Sequence, residues 1–302
     1  MTTPEVILEE QGLRDGLQTL RTLVPTEKKL EWIARLVDAG VRRIQVTSFV
    51  HPRLVPQMAD AEVIFERLDR REGVVYSALV LNQKGVERAI AAGAEHLAIS
   101  ISASDTHSQK NTRMTLEEAK ADFRQNVRLA RAHGIRVRAG IQCAFGCRYE
   151  GAIPAQRVLD LIQHHLDAGA DEMALADSTG MAHPLQIRDF VAKALERCGP
   201  VPLALHLHNT ENKGLANLFA AYEVGVRQFD TAFGGLGGCP FIPGATGNIA
   251  TEDTVHFFRQ MGVETGIDLE KVAAISREVE TLVSDARLSG ALYKLPATLP
   301  VS

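Results

Sequence analysis

The stretch GPVPLALHLH (199–208) decides the fold. It opens on a glycine, the residue that ends helices because it enters left-handed backbone without steric cost. It continues as a strand over 202–208, in which alternate side chains share a face. His206 and His208 therefore point one way, and Leu205 and Leu207 point the other. Working outward, the same unit recurs: Gly40, Gly73, Gly93, Gly134, Gly169, Gly199 and Gly225 each stand before a strand-like run. The runs they introduce are 43–48, 75–80, 96–101, 136–143, 172–177, 202–208 and 227–232, and EVILEE (5–10) begins the series. Between them lie segments of helical period: Leu30, Ile33, Ala34 and Val37 within 26–39, and Phe123, Val127 and Ala130 within 115–132, where Thr115 and Glu118 have capping-box spacing.

Seven junctions joining eight strands predict an α/β chain folded as a (β/α)8 TIM barrel, with a doubly wound open sheet as the alternative. The junctions are spaced irregularly, 20 to 41 residues apart, which excludes a solenoid repeat. Further helix begins at Thr251, so residues 1–284 read as one barrel domain with C-terminal helices. Residues 285–302 read as a tail, either a covering segment or a partly disordered end.

The composition narrows the function. Of 302 residues, 45% are apolar and 23% charged, with a net charge of −4. These values argue against a nucleic-acid or membrane partner. No apolar stretch approaches the roughly 20 residues that span a bilayer, and MTTPEVILEE lacks a basic region, an apolar region and a cleavage signal. Four cysteines suggest no disulfide scaffold, and a cytoplasmic location with reduced thiols is expected.

Barrel enzymes carry their chemistry at the C-terminal ends of the strands. There stand Arg14 and Asp15 after strand 1, Gln45, Thr47 and Ser48 closing strand 2, Cys143 at strand 5, Asp177 at strand 6 and His206 and His208 at strand 7. The loop GGLGGCPFIPGATGN (234–248), with Cys239 and Asn248, follows strand 8. Closure pairs strand 8 with strand 1, so Asp15, His206, His208 and Asn248 can converge. Two imidazoles, a carboxylate and an amide oxygen suit Mg2+ or Mn2+ better than structural zinc. Cys239, in a Gly-rich loop, fits a catalytic acid or base better than a fixed ligand. Cys143 and Cys147, spaced C-x3-C without a second pair, read as wall residues and Cys198 as packing. His133, His164 and His165 read as ordinary structural histidines.

Arg14-Asp15-Gly16-Leu17-Gln18, TSFVHPRLVPQM (47–58), and GGLGGCPF with GATGN resemble 3-hydroxy-3-methylglutaryl-CoA lyase, within the metal-dependent barrel superfamily that includes isopropylmalate synthase. The resemblance runs from about residue 5 to 284, and the GxGGCP loop is its most specific element. It implies cleavage of a 3-hydroxy-3-methyl acyl-CoA in the manner of a retro-aldol reaction, to acetyl-CoA and, in the parent family, acetoacetate. It further implies a divalent cation on Asp15, His206, His208 and Asn248, with Arg14 stabilising the enolate and Asp177 or His206 as base. Cys239 would deliver the proton. Gln18, Gln45 and Ser48 fall in the substrate region, Ser102, Ser104, Lys110 and Asn111 in the region that meets CoA, and a homodimer is the family-like assembly.

Departures from the pattern bear on the substrate. Gln45 stands where a glutamate is usual, Asn209 where an aspartate is expected, and Gly140 where a tyrosine is common. Citramalyl-CoA, giving acetyl-CoA and pyruvate, and a bulkier 3-hydroxyglutaryl-CoA are the alternatives these changes raise. Three rivals differ in class: a metal hydrolase, which would carry its His-x-His on strand 1; a condensing synthase, disfavoured by Cys239 and the absence of a regulatory domain; and a non-catalytic CoA-binding protein, separable by its metal content.

Overall fold

The computed structural model describes residues 5–237 and 247–295. Eight parallel strands close on themselves in chain order: β1 Ile7–Glu10, β2 Arg43–Ser48, β3 Val75–Val80, β4 His96–Ser102, β5 Arg136–Gln142, β6 Glu172–Asp177, β7 Leu203–Leu207 and β8 Gln228–Thr231. Closure is the pairing of β8 with β1, which sets Ile7 opposite Gln228 and Glu10 opposite Thr231, and it rules out the open sheet. Around the strands run α1 Thr26–Asp38, α2 Ala61–Arg67, α3 Gln83–Ala91, α4 Asp105–Thr112, α5 Leu116–Ala132, α6 Ala155–Asp167, α7 Pro184–Cys198 and α8 Gly214–Glu223. They are followed by α9 Thr251–Gln260 and α10 Leu269–Leu282. Among the described residues, no helix is long and apolar enough to cross a membrane.

The local signals act as the sequence implies. All seven junction glycines take positive φ. At Gly40 both space and conformation demand glycine, since φ is +96° and an added Cβ would lie 2.1 Å from the Gly266 carbonyl oxygen. Thr115 caps α5 reciprocally: its hydroxyl accepts from the Glu118 N–H, and its own N–H donates to the Glu118 carboxylate at 2.8 Å. One boundary moves. β5 ends at Gln142, because Cys143 turns into left-handed backbone with φ +53°. Cys143, Cys147 and Cys198 are all buried, as wall and packing residues should be.

Outward-facing Ile44, Val46, Ile99, Leu175, Leu205 and Leu207 are buried beneath the helices, which contribute Trp32, Leu36, Val127 and Ile162. Each such side chain contributes about 1.5–3 kcal/mol. The barrel interior differs from the usual stack of branched aliphatic residues. Its lower half is an ion network. Glu9 accepts from Arg43 Nε at 3.0 Å and from Arg138 Nη1 at 2.8 Å, and Arg138 Nη2 donates to Asp230 at 2.7 Å. Arg43 also reaches Glu172 at 2.6 Å, and the Ser77 hydroxyl donates to Glu9 at 2.8 Å. Burial alone would raise the Glu9 pKa, but the Arg138 and Arg43 guanidiniums outweigh it and lower it to about 2. Removing one partner from such a network strands the others in low dielectric. Arg138→Ala is therefore expected to cost about 3–5 kcal/mol in urea unfolding. A loss below about 1 kcal/mol would mean that Glu9 and Asp230 are otherwise compensated.

Residues 285–295 run back against the start of the Gly-rich loop. Gly290 N–H donates to Gly234 O at 2.8 Å, Ser289 Oγ donates to Gly235 O at 3.1 Å, and Tyr293 is fully buried with its hydroxyl on Glu280 at 2.7 Å.

Candidate metal centre and its cavity

The C-terminal mouth of the barrel opens into a cavity of about 640 Å³. After β1 the chain makes one π turn, Gly12–Gly16, which points Arg14 and Asp15 into this space. The turn needs glycine at position 12 because an added Cβ would lie 2.4 Å from the Phe233 ring and 2.7 Å from Glu10 Oε1. The Glu10 carboxyl holds the turn to the start of the Gly-rich loop, accepting from Gly12 N at 2.7 Å, Phe233 N at 2.9 Å and Thr251 Oγ1 at 2.6 Å. Glu252 takes the next N–H, Gly234, at 2.9 Å, and the Ser276 hydroxyl.

Burial pushes Glu10 and Glu252 up to about 7, against these hydrogen bonds. An acid whose pKa rises on folding stabilises the fold below its unfolded value of 4.5 and loses that contribution as pH climbs through about 7. Glu10→Gln is thus expected to flatten the fall in stability between about pH 5 and about pH 8, at about 1.4 kcal/mol per unit of pKa displacement. Urea midpoints at the two pH values, wild type against variant, measure it. Parallel shifts would remove Glu10 from the account.

Arg14 is held at every face. Its Nε donates to Gln45 Oε1, its Nη1 to Asp15 at 2.5 Å and its Nη2 to Gln11 at 3.0 Å. Asp15 also accepts from Gln18 Nε2 and Asn248 Nδ2, each at 2.9 Å. Burial would raise the Asp15 pKa, but Arg14 first, then His206 and His208, hold it far below the usual carboxylate range. His206 and His208 project from the end of β7 with their Nε2 atoms 3.0 Å apart, and His208 Nε2 lies 3.8 Å from Asp15 Oδ2. One ligand atom from each of Asp15, His206 and His208 falls within 4.8 Å of the others. Burial, with His206 next, lowers the His208 pKa to about 4, so its imidazole is neutral at neutral pH. A neutral imidazole and an ionised carboxylate are the states a cation requires.

Asn248 arrives by backbone pairing. Ile249 N donates to Leu207 O at 3.2 Å and Asn209 N to Gly247 O at 3.0 Å, which lays the returning segment along the end of β7. The outgoing and returning stems pass so closely that a Cβ on Gly247 would lie 2.3 Å from Gly235 O. The Asn248 amide nitrogen is spent on Asp15 and Leu236 O, while its Oδ1 is buried without a partner. An orphaned buried acceptor beside three converging donors fits a hard divalent cation.

Two residues here are absent from the sequence reading. Asp230 on β8 accepts from His206 Nδ1 at 3.0 Å and receives Arg138 on its other oxygen, which leaves His206 Nε2 for the cavity. Gln11 braces Arg14. Asp230 was signalled by strand alternation, since its inward phase opposes the buried Phe229. Asp230→Asn should weaken divalent metal binding about 10–100-fold, read by Mn2+ titration without substrate. An unchanged affinity would end its orienting role.

The other expected site residues divide. Gln18, Gln45, Lys110 and Asn111 line the cavity, Lys110 with its Nζ 4.8 Å above the Tyr149 ring. Ser48 lies in register with cavity-lining Leu79, past a bulge between Gln45 and Thr47, and its hydroxyl is buried without a partner. Ser102 and Ser104 do local work: Ser102 Oγ accepts from Ser104 N, and Ser104 caps α4 and donates to Glu150 at 2.9 Å. Asp177 does not face the cavity. It shares the outward phase of Leu207, opposite it in register, and its carboxylate accepts from Met181 N at 3.2 Å and Ala182 N at 3.1 Å. Burial lifts its pKa to about 6, yet its position is that of a cap on the loop after β6, which corrects its assignment as base. Cys239 lies outside the described residues.

Known proteins match this chain along most of its length. The model of the HMGL-like family matches residues 5–279. The chain is 44% identical over 281 residues to (R)-citramalyl-CoA lyase of Chloroflexus aurantiacus, covering 90% of this chain and 89% of that one. It is 38% identical over 276 residues to the hydroxymethylglutaryl-CoA lyase YngG of Bacillus subtilis, covering 91% and 92%. Among solved structures, an HMG-CoA lyase from Acinetobacter baumannii in complex with coenzyme A and 3-methylmalate superposes with a TM-score of 0.89 at 41% identity, covering 94% of this chain and 93% of that one.

Proposed function

Since this chain belongs to the HMGL-like family of carbon–carbon lyases, we propose that it is a divalent-metal-dependent lyase for a 3-hydroxy-3-methylglutaryl-CoA-like thioester, releasing acetyl-CoA and a keto acid. The observation that carries the reading is the convergence of Asp15, His206 and His208 at the barrel mouth. These three, with Asn248, would hold Mg2+ or Mn2+, which supplies Lewis acidity and a template for substrate oxygens.

The reaction conserves atoms. The C3 hydroxyl gives its proton to solvent in the open cavity mouth, its oxygen becomes a carbonyl, and the C2–C3 electron pair passes to the acetyl thioester as an enolate that is then protonated at C2, so one proton leaves oxygen and one arrives at carbon. Arg14, fixed by Gln45, Asp15 and Gln11, is a preorganised cation for that developing charge. His206, its Nδ1–H turned to Asp230, has one nitrogen for the cavity, and the approach of His208 Nε2 supports counting that nitrogen in the metal set. Lys110 and Arg113, on and just after α4 in the cavity lining, suit the phosphates of CoA. In this reading the proton donor to C2 is Cys239, the cysteine of the Gly-rich sequence 234–248.

(R)-Citramalyl-CoA is the second substrate reading, favoured by the 44% identity to a lyase of that name and by Gly140 and Gln45 in the cavity wall. Purified protein with Mg2+ or Mn2+ under reducing conditions should release acetyl-CoA from one or both thioesters, and acetoacetate against pyruvate identifies which. Release from neither sinks the lyase reading.

A further inference from the structure

Barrel interiors are ordinarily filled by bulky branched side chains. Across β4, β5 and β6 this one is not. The inward positions that line the cavity include Ala98, Ser100, Gly140, Ala174 and Ala176, with Arg138 below and Gln142 above Gly140 on β5. The large side chains of the same strands, Ile99 and Leu175, turn outward beneath the helices. Ala174, Ala176 and Ser100 keep measurable exposure although their strands are covered by helices, so open space lies directly over them. The glycine is tied to its neighbour. Gly140 sits opposite Ser100 in the β4–β5 register, and a Cβ there would lie 2.2 Å from the Ser100 hydroxyl.

The charges below this wall are already matched. Arg138 places Nη1 on Glu9 and Nη2 on Asp230, while Arg14, across the cavity, is shared among Gln45, Asp15 and Gln11. The other cations that line the chamber, Lys110 and Arg113, stand on and just after α4, on the side given to the CoA phosphates, so beside this wall no described lining cation is left over for a substrate carboxylate. The metal triad adjoins the β6 edge of this wall, since His206 on β7 is the register partner of Ala176, and it is completed from the turn after β1. A substrate with its oxygens at the triad and its thioester toward α4 therefore presents its remaining C3 substituent to a small, largely apolar wall.

Resting on the lyase reading above, the geometry points to this wall as the determinant of the C3 substituent, with room for an alkyl arm longer than methyl. The substrate class is a 3-hydroxyacyl-CoA whose C3 carries the hydroxyl, a carboxylate-bearing arm and an alkyl arm of two or more carbons. Cleavage yields acetyl-CoA and the keto acid that retains the alkyl arm. A hydrophobic pocket discriminates a single methylene about 10–200-fold, so the choice is readable in kinetics.

The test compares thioesters bearing methyl, ethyl or propyl at C3 of the citramalyl and hydroxyglutaryl skeletons, with Mg2+ present and acetyl-CoA release as readout. The ethyl or propyl compound should show kcat/KM at least equal to the methyl compound. Ala176→Val and, independently, Ala174→Val should lower the ethyl-to-methyl ratio at least about tenfold. Because the ratio is taken within one folded preparation, general damage to the barrel cancels. A wild-type preference for methyl, or a ratio that both variants leave unchanged, overturns the assignment while the lyase reading stands. Release from no thioester of the panel overturns the lyase reading itself.

Discussion

His208→Ala is expected to weaken divalent metal binding by more than about 100-fold and to lower acetyl-CoA release by at least about 1,000-fold. Loss of a partner that only orients a ligand costs about 10–100-fold, and loss of the ligand itself must exceed that. His208 is well suited to the experiment because it is buried, neutral at neutral pH and bonded to little else: its Nδ1 has no partner, and its Nε2 faces His206. The variant therefore removes a donor without stranding a charge. Calorimetric titration with Mn2+ and single-turnover rates read the two losses separately. Metal binding retained within about threefold would show that the triad is not the metal site.

Arg14→Gln should lower kcat about 100- to 1,000-fold with little change in KM, the signature of an interaction made only in the transition state. The guanidinium is already bonded to three neighbours and pays no reorganisation when charge develops beside it. Arg14→Lys keeps the charge but loses the fork that Gln45, Asp15 and Gln11 grip, so it should recover only part of the rate. A loss confined to KM would make Arg14 a binding group. Asp15 must be watched in both variants, because Arg14 is the foremost group depressing its pKa; Mn2+ affinity separates an indirect effect on the metal site from a direct one on the enolate.

The barrel was legible because its signals are local. A glycine at a helix end and a period-2 run need only neighbouring residues, and the eight runs from 5–10 to 227–232 appear as strands with bounds shifted by two residues at most. Alternation along β7 likewise settled that His206 and His208 share a face. Asp177 shows where that reasoning stops. A carboxylate at a strand end is visible in the chain, but whether it faces the cavity or the helices depends on its register against β7, where it lies opposite outward-facing Leu207.

The sequence by itself determined the eight strand–helix units and the polar residues at their C-terminal ends, because those signals are local, while the pairing of β8 with β1 decided that the sheet closes. Only the tertiary structure decided how those residues are supported. Asp230 turns His206, Gln11 and Gln45 grip Arg14, and Glu10 and Glu252 hold the loop stem, each across elements far apart in the chain. It also decided that the wall of β4, β5 and β6 is open. Emptiness is a property of side chains that fail to meet across a barrel, and no single stretch of sequence carries it.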